Sequence, residues 1–180
     1  MIHKLAENYL TGEITGGVPK QLWKLQKEYR ALKVAKPIVE QFWGVSPDWK
    51  PMSYGWCVAR TDAAVLPTKR LPVLDIVDHK TGREYEKPHR SQAGLYSAVG
   101  FALYPKIDEA NVEFFYTDQG FVQSYNYSRA QLRYQVKYWQ EQGLKLMAAK
   151  KFLPSPSEDA CRWCGFRDDK RLANGKKGPC

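Results

Sequence analysis

No run of apolar residues in this sequence approaches the ~20 that a bilayer-spanning helix needs. The N-terminus, Met-Ile-His-Lys, carries no signal-peptide h-region. A membrane protein is therefore not expected, and a cytoplasmic one is. The 180 residues contain no G-x-x-x-x-G-K-[ST] motif, so a P-loop motor or helicase is excluded from this stretch of chain. Internal repeats and low-complexity tracts are absent as well. Histidine and cysteine are scarce, with three and four residues, so each can be weighed on its own. Acidic side chains are the minority: 19 Asp and Glu stand against 28 Lys and Arg, a formal net charge of +9. That balance favours polyanionic partners, because phosphates attract such a chain and release counterions on binding.

What is present argues for one folded domain with a sizeable core. Hydrophobic residues make up 43% of the chain, too many for disorder. The length suits one compact unit better than two. The expected division is a domain over 1–156 with a tail over 157–180, and the tail has too little apolar content to bury a core of its own. It does hold Cys161-Arg-Trp-Cys164 and, further on, Cys180. In an intracellular chain such clustering suggests a structural metal rather than disulfides. Cys57 stands apart, and its simplest role is that of a small buried hydrophobe.

The element pattern is α/β. Ile2 to Leu10 has the spacing of a short helix, which puts His3 and Glu7 on one face. Leu22, Leu25, Tyr29, Leu32, Ala35, Val39 and Phe42 recur at three- and four-residue intervals and predict a helix from about Lys20 to Trp43, kinked or split at Pro37. Its lysines and arginines, from Lys20 to Lys36, lie off the apolar stripe. From Tyr54 to Asp62 the chain is β-like, Pro67 to Pro72 is a basic hairpin loop, and Val73-Leu74-Asp75-Ile76-Val77 is a buried strand. Gly82 ends that run. Ser91 to Tyr104 predicts a helix whose small residues Ala93, Gly94, Ala98 and Gly100 permit close packing on a sheet. Val112–Tyr116 and Phe121–Tyr125 are strands, and Ser128 with Gln131 has capping-box spacing at the start of the last helix. The whole predicts a mixed central sheet of about four or five strands flanked by helices.

Chemistry concentrates in Asp78-His79-Lys80-Thr81-Gly82. Successive strand residues point to opposite faces, so Asp78 and Lys80 project together and the His79 side chain points away. A carboxylate can hold a divalent cation there, and an ammonium can orient water or neutralise a phosphate. The hairpin between the two β-runs is short enough to bring Asp62 beside Asp78. Gln92 and Tyr96 lie one helical turn apart on the following helix.

These pieces, in order, are Ile2-His3-Lys4-Leu5-Ala6-Glu7, Ala59-Arg60-Thr61-Asp62-Ala63, Asp78-His79-Lys80-Thr81-Gly82 and Gln92-Ala93-Gly94-Leu95-Tyr96. They resemble the P-D-(D/E)-X-K nuclease superfamily, specifically its RecB-like branch, for which the last piece matches the Q-x-x-x-Y motif. The resemblance implies a restriction-endonuclease-like α/β core and a metal-dependent DNA nuclease, exonuclease before endonuclease, of the kind found as stand-alone phage DNA-processing enzymes. It implies Mg²⁺ or Mn²⁺ held by Asp62, Asp78, His3 and the backbone carbonyl of His79. Lys80 would serve the attacking water and the phosphate. Gln92 and Tyr96 would contact water or the DNA backbone, with Glu7 behind the metal. The partner expected is a DNA end or single strand. Relatives also carry an iron–sulfur cluster on one cysteine upstream of the histidine motif and three near the C-terminus. Cys161, Cys164 and Cys180 match those three, and no cysteine stands upstream of His3 in this sequence. The fourth ligand is then Cys57 or a histidine such as His89, or the site takes Zn²⁺, or it is vestigial. The rival from another class is a non-catalytic nucleic-acid-binding protein that keeps the basic helix face on a degenerate nuclease scaffold.

Overall fold

The computed structural model describes residues 2–82, 84 and 86–151. The fold concerns the compact unit Met1–Leu144; of the second unit, Lys145–Cys180, the described residues stop at 151. The expected boundary after residue 156 and the cysteine tail both lie outside the described residues.

Helix α1 (Ile2–Thr11) is followed by a 3-10 turn (Lys20–Leu25) and α2 (Gln26–Val34). Strands β1 (Ile38–Val45), β2 (Pro51–Met52), β3 (Cys57–Val65) and β4 (Val73–Lys80) come next. Then come α3 (Glu86–Leu103), β5 (Glu109–Tyr116), β6 (Phe121–Ser128) and α4 (Leu132–Ala148). The strands form one six-stranded sheet in the order β2-β1-β3-β4-β5-β6. It is mixed: β4 runs parallel to β5 and every other neighbouring pair is antiparallel. A parallel pair needs a crossover, and α3 supplies it. The expected mixed α/β architecture is observed, with a sixth strand that its two-residue length concealed.

Two expected helix boundaries are corrected. The stripe expected to run to Trp43 stops at Val34, and Val39 and Phe42 belong to β1. Lys36 takes a left-handed φ of 54°, and Pro37 disfavours helix for its predecessor. The β-branched Ile38-Val39 then start the strand. Helix α3 begins at Glu86, ahead of the expected Ser91. Pro88 stands in its first turn, where the missing N–H would have had no partner anyway. The capping box is present: the Ser128 N–H donates to Gln131 Oε1 at 2.8 Å.

Each face of the sheet carries its own core. Leu74, Ile76, Val112 and Phe114 pack with Ala98, Val99 and Phe101 of α3. A Cβ on Gly100 would stand 2.5 Å from Leu74 Cδ2, so any larger residue in this close approach of helix to sheet would force the buried Leu74 side chain to shift. On the other face Val77 and Phe115 pack with Tyr9, Leu22, Leu25, Tyr29 and Leu32. The alternation of β4 is what divides its side chains between the two.

One place breaks this regularity. Val39 and Ala63 pack in the α1–α2 cluster, whereas Trp43 and Ala59, of the same parity along the same ladder, pack in the α3 cluster. An uninterrupted ladder would keep them on one face. Between the two pairs lie Glu40, with a left-handed φ of 49°, and Asp62, which take no part in the ladder.

His79 is buried on the α1–α2 side, with Nδ1 3.1 Å from the Tyr29 hydroxyl, and burial pushes its imidazole down to about 4. The unfolded chain, titrating near ~6.5, binds the extra proton first. Stability contributed by neutral His79 is therefore complete above about 6.5 and lost as pH falls towards about 4, by an amount on the order of 3 kcal/mol. Burial raises the Asp78 and Glu113 carboxyls, which act with the opposite sign. The comparison that isolates the imidazole is urea unfolding of wild type and His79→Gln at pH 7 and 4.5. The wild type should lose more stability between the two; equal losses would contradict the assignment.

Candidate active site

The β3–β4 ladder is short. Its last pair towards the site is Ala63↔Val77, and the next residues in register are Asp62 and Asp78. Instead of continuing the ladder, Asp62 turns its carboxylate across the gap, and its Oδ2 accepts the backbone N–H of His79 at 2.6 Å. Beyond that bond the strands diverge in partnership. Thr61 to Cys57 pair with β1, and Asp78 to Lys80 pair with β5. The sheet opens between two aspartates.

Asp78 sits on the α3 face, almost fully buried. Lys80 Nζ lies 2.7 Å from its Oδ2, and Gln92 Nε2 donates to its Oδ1 at 3.2 Å. Gln92 Oε1 accepts from Lys80 at 2.8 Å, and Gln92 Nε2 reaches the Tyr96 hydroxyl at 2.6 Å. One amide thus ties the carboxylate, the ammonium and the phenol together. The Tyr96 oxygen lies 2.9 Å from Asp78 Oδ1 and 2.6 Å from the Arg60 carbonyl, so its single proton serves one acceptor at a time. Burial raises the Asp78 carboxyl, and the neighbouring Lys80 charge partly offsets the rise. Burial, with the Asp78 charge, also drives the Tyr96 phenol upward, so it stays a donor throughout the working pH range.

The remaining expected residues fall as follows. His3 Nδ1 donates to Asp62 Oδ1 at 3.0 Å. The His79 ring points away from Asp78 and Lys80, as alternation requires, towards Tyr29. Glu7 accepts from Lys4 at 3.0 Å, one turn away on α1. Cys161, Cys164 and Cys180 lie outside the described residues. Cys57 is half-buried in β3 against the α3-side core, where burial pushes its thiol up.

Sequence reasoning missed contributors at three places in the fold. His89, weighed only as a tail ligand, stands on α3 with Nδ1 against the Tyr116 hydroxyl and its ring 5.2 Å from Phe114. Lys80 Nζ lies 4.9 Å from that same Phe114 ring, and its charge adds to the burial that lowers His89. Thr117 and Asp118, in the turn between β5 and β6, clamp the end of β4. The Thr117 N–H donates to the Lys80 carbonyl at 3.1 Å, and the Gly82 N–H donates to Asp118 Oδ2 at 3.0 Å. Arg60 is the third, fixed to Glu40 Oε2 at 2.7 Å. No sequence spacing pairs Arg60 with Glu40, because the pairing is made by register.

Residues 2–168 match the model of the PD-(D/E)XK nuclease superfamily. The chain belongs to that superfamily. Its members are hydrolases of nucleic acids that typically use Mg²⁺ or Mn²⁺. No curated protein matches the sequence. Among solved structures, the "Crystal structure of SSO0001" is similar at 13% identity with a TM-score of 0.38, covering 92% of this chain and 94% of that one. That likeness is too distant to bear on function.

At the open end of the sheet the Asp62 and Asp78 carboxylates are hard donors of the kind the superfamily's metal prefers, with the His3 imidazole against Asp62. Among the described residues no group of three or more His, Cys, Asp or Glu is arranged to hold a metal ion. Few protein oxygens suit Mg²⁺, which keeps several waters of its own, better than a cation that wants an all-protein cage. No helix among the described residues is long and apolar enough to cross a membrane.

The shared hydrogen bonds predict a cost for Tyr96→Phe. It leaves the Arg60 carbonyl without its hydroxyl partner and Asp78 Oδ1 with Gln92 alone, which should destabilise the fold by about 1–3 kcal/mol. Denaturant melts would show a lowered midpoint with unchanged slope. An unchanged midpoint would mean that the network is not formed.

Proposed function

We propose that the chain is a divalent-metal-dependent deoxyribonuclease of the RecB-like branch, acting as an exonuclease on phosphodiester bonds. The observation that carries the reading is the ion pair of buried Asp78 with partly buried Lys80, locked by Gln92 and Tyr96 beside Asp62 where the sheet opens. The Q-x-x-x-Y resemblance of Gln92 to Tyr96 supports the branch and, with it, exonuclease action. The charge of +9 supports a polyanionic substrate.

Asp62 and Asp78, with the His79 carbonyl and His3 Nε2 as further donors once these groups draw together, would hold Mg²⁺ or Mn²⁺, a Lewis acid that lowers the pKa of water and stabilises phosphate charge. The protein's own groups do the positioning. Lys80 is an ammonium held at one point by Asp78 and Gln92, so it can meet charge developing on a phosphate without reorganising. Gln92 prevents Lys80 from swinging into solvent, and Tyr96 holds Asp78 Oδ1. His3 orients Asp62 from the other side. Cys161, Cys164 and Cys180 would hold a structural iron–sulfur cluster or Zn²⁺.

The decisive test is Asp78→Ala with end-labelled single- and double-stranded DNA in Mn²⁺. Cleavage should fall by at least about a hundredfold, while circular dichroism and DNA binding stay close to wild type. Near-normal cleavage by the folded variant would overturn the reading. Release of mononucleotides from ends by the wild type, with circular DNA left intact, is the outcome expected of an exonuclease.

A further inference from the structure

Phe42 is 64% exposed on β1, an unusual place for a phenyl ring in a strand with a buried partner face. It stands opposite Arg60 in the β1–β3 register, and the guanidinium lies 5.4 Å from its ring centroid. Glu40 grips the guanidinium at 2.7 Å. Glu40 is also the residue with the left-handed φ of 49° inside the strand. Such a conformation is strained for a non-glycine residue and clusters at functional sites. The strained residue is the one that fixes Arg60 beside Phe42. Exposed apolar surface continues along the same ladder through Val58 and Met52, which flank Gly44.

On the sheet face opposite α3, this surface adjoins the Asp62 side of the candidate active site. The Arg60 carbonyl accepts the Tyr96 hydroxyl, which also reaches Asp78. Asp62 follows two residues later and shares a favourable electrostatic interaction with Arg60. An exposed ring beside a guanidinium is the pairing that seats unpaired nucleotides: the ring takes the face of a base and the cation takes the backbone. A duplex hides its base faces within the stack, so only a single strand or a frayed end can use such a shelf.

We propose that Phe42 and Arg60 form a stacking shelf for an unpaired base of single-stranded DNA, placed to lead the strand into the Asp62–Asp78 cleft. The proposal takes its substrate class from the nuclease reading. Its test measures binding, so the two can fail separately.

The experiment is fluorescence anisotropy of the full chain in EDTA with a labelled oligothymidylate, the same oligonucleotide with abasic sites, and a blunt duplex. Phe42→Ala should weaken single-strand binding roughly tenfold and change duplex binding less than about twofold. Phe42→Trp should restore the single-strand affinity. The penalty should vanish on the abasic strand, a result that loss of folding would not produce. Equal single-strand affinity for wild type and Phe42→Ala overturns the shelf, whether or not the protein cleaves DNA. Parallel losses on all three ligands overturn it as well. A base-dependent loss in a protein that cleaves nothing would keep the shelf and reject the nuclease reading.

Discussion

The structure depends on one hydrogen bond that takes the place of sheet. Where the β3–β4 ladder would continue, the Asp62 carboxylate accepts the His79 N–H across the gap. The strands are thereby held at a fixed separation while each keeps its outer neighbour, β1 or β5. A continued ladder would satisfy the backbone and bring the two aspartates into a closed sheet. The side-chain bond satisfies the same N–H and leaves an opening with a carboxylate on each side. The irregularity at Glu40, on the strand beyond, lies opposite the same residue.

Burying Asp78 and Lys80 in that opening is costly unless every polar atom has a partner, because desolvating an ion pair can exceed its Coulomb attraction. Gln92 meets the requirement by using both ends of its amide, and Tyr96 completes the carboxylate. The pair is therefore a weak argument for stability and a stronger one for function. An apolar pair would fill the same space at less cost. Asp78 is buried and Lys80 partly so, and the less water surrounds a fixed ammonium the more strongly it acts on a phosphate.

Much of this was legible in the sequence because it rests on short-range periodicity. The two-residue period put Asp78 and Lys80 together and turned His79 away. The four-residue period put Gln92 above Tyr96, and the brief loop from Pro67 to Pro72 made an antiparallel pair of the strands carrying Asp62 and Asp78. What failed rests on features that periodicity does not encode. Val39 and Phe42 continued the helical stripe by coincidence beyond Pro37, whose signature allowed a kink or a split and here marks the end of the helix. Pro88 looked like a loop residue although a first helical turn tolerates it. The Glu40–Arg60–Phe42 arrangement depends on strand register across twenty residues, and the clamp of Asp118 on Gly82 joins two turns that only the parallel β4–β5 pairing brings together.

The central claim is that the opening between Asp62 and Asp78 is the catalytic centre, and it is tested most directly by where a cation goes. Crystals of the protein grown with a short oligonucleotide and soaked in Mn²⁺ would locate the ion by its anomalous scattering. The account predicts a peak ligated by the Asp78 carboxylate, with Asp62 as a second ligand and the Lys80 ammonium facing the phosphate. A manganese site elsewhere, with the DNA bound away from the opening, would contradict it.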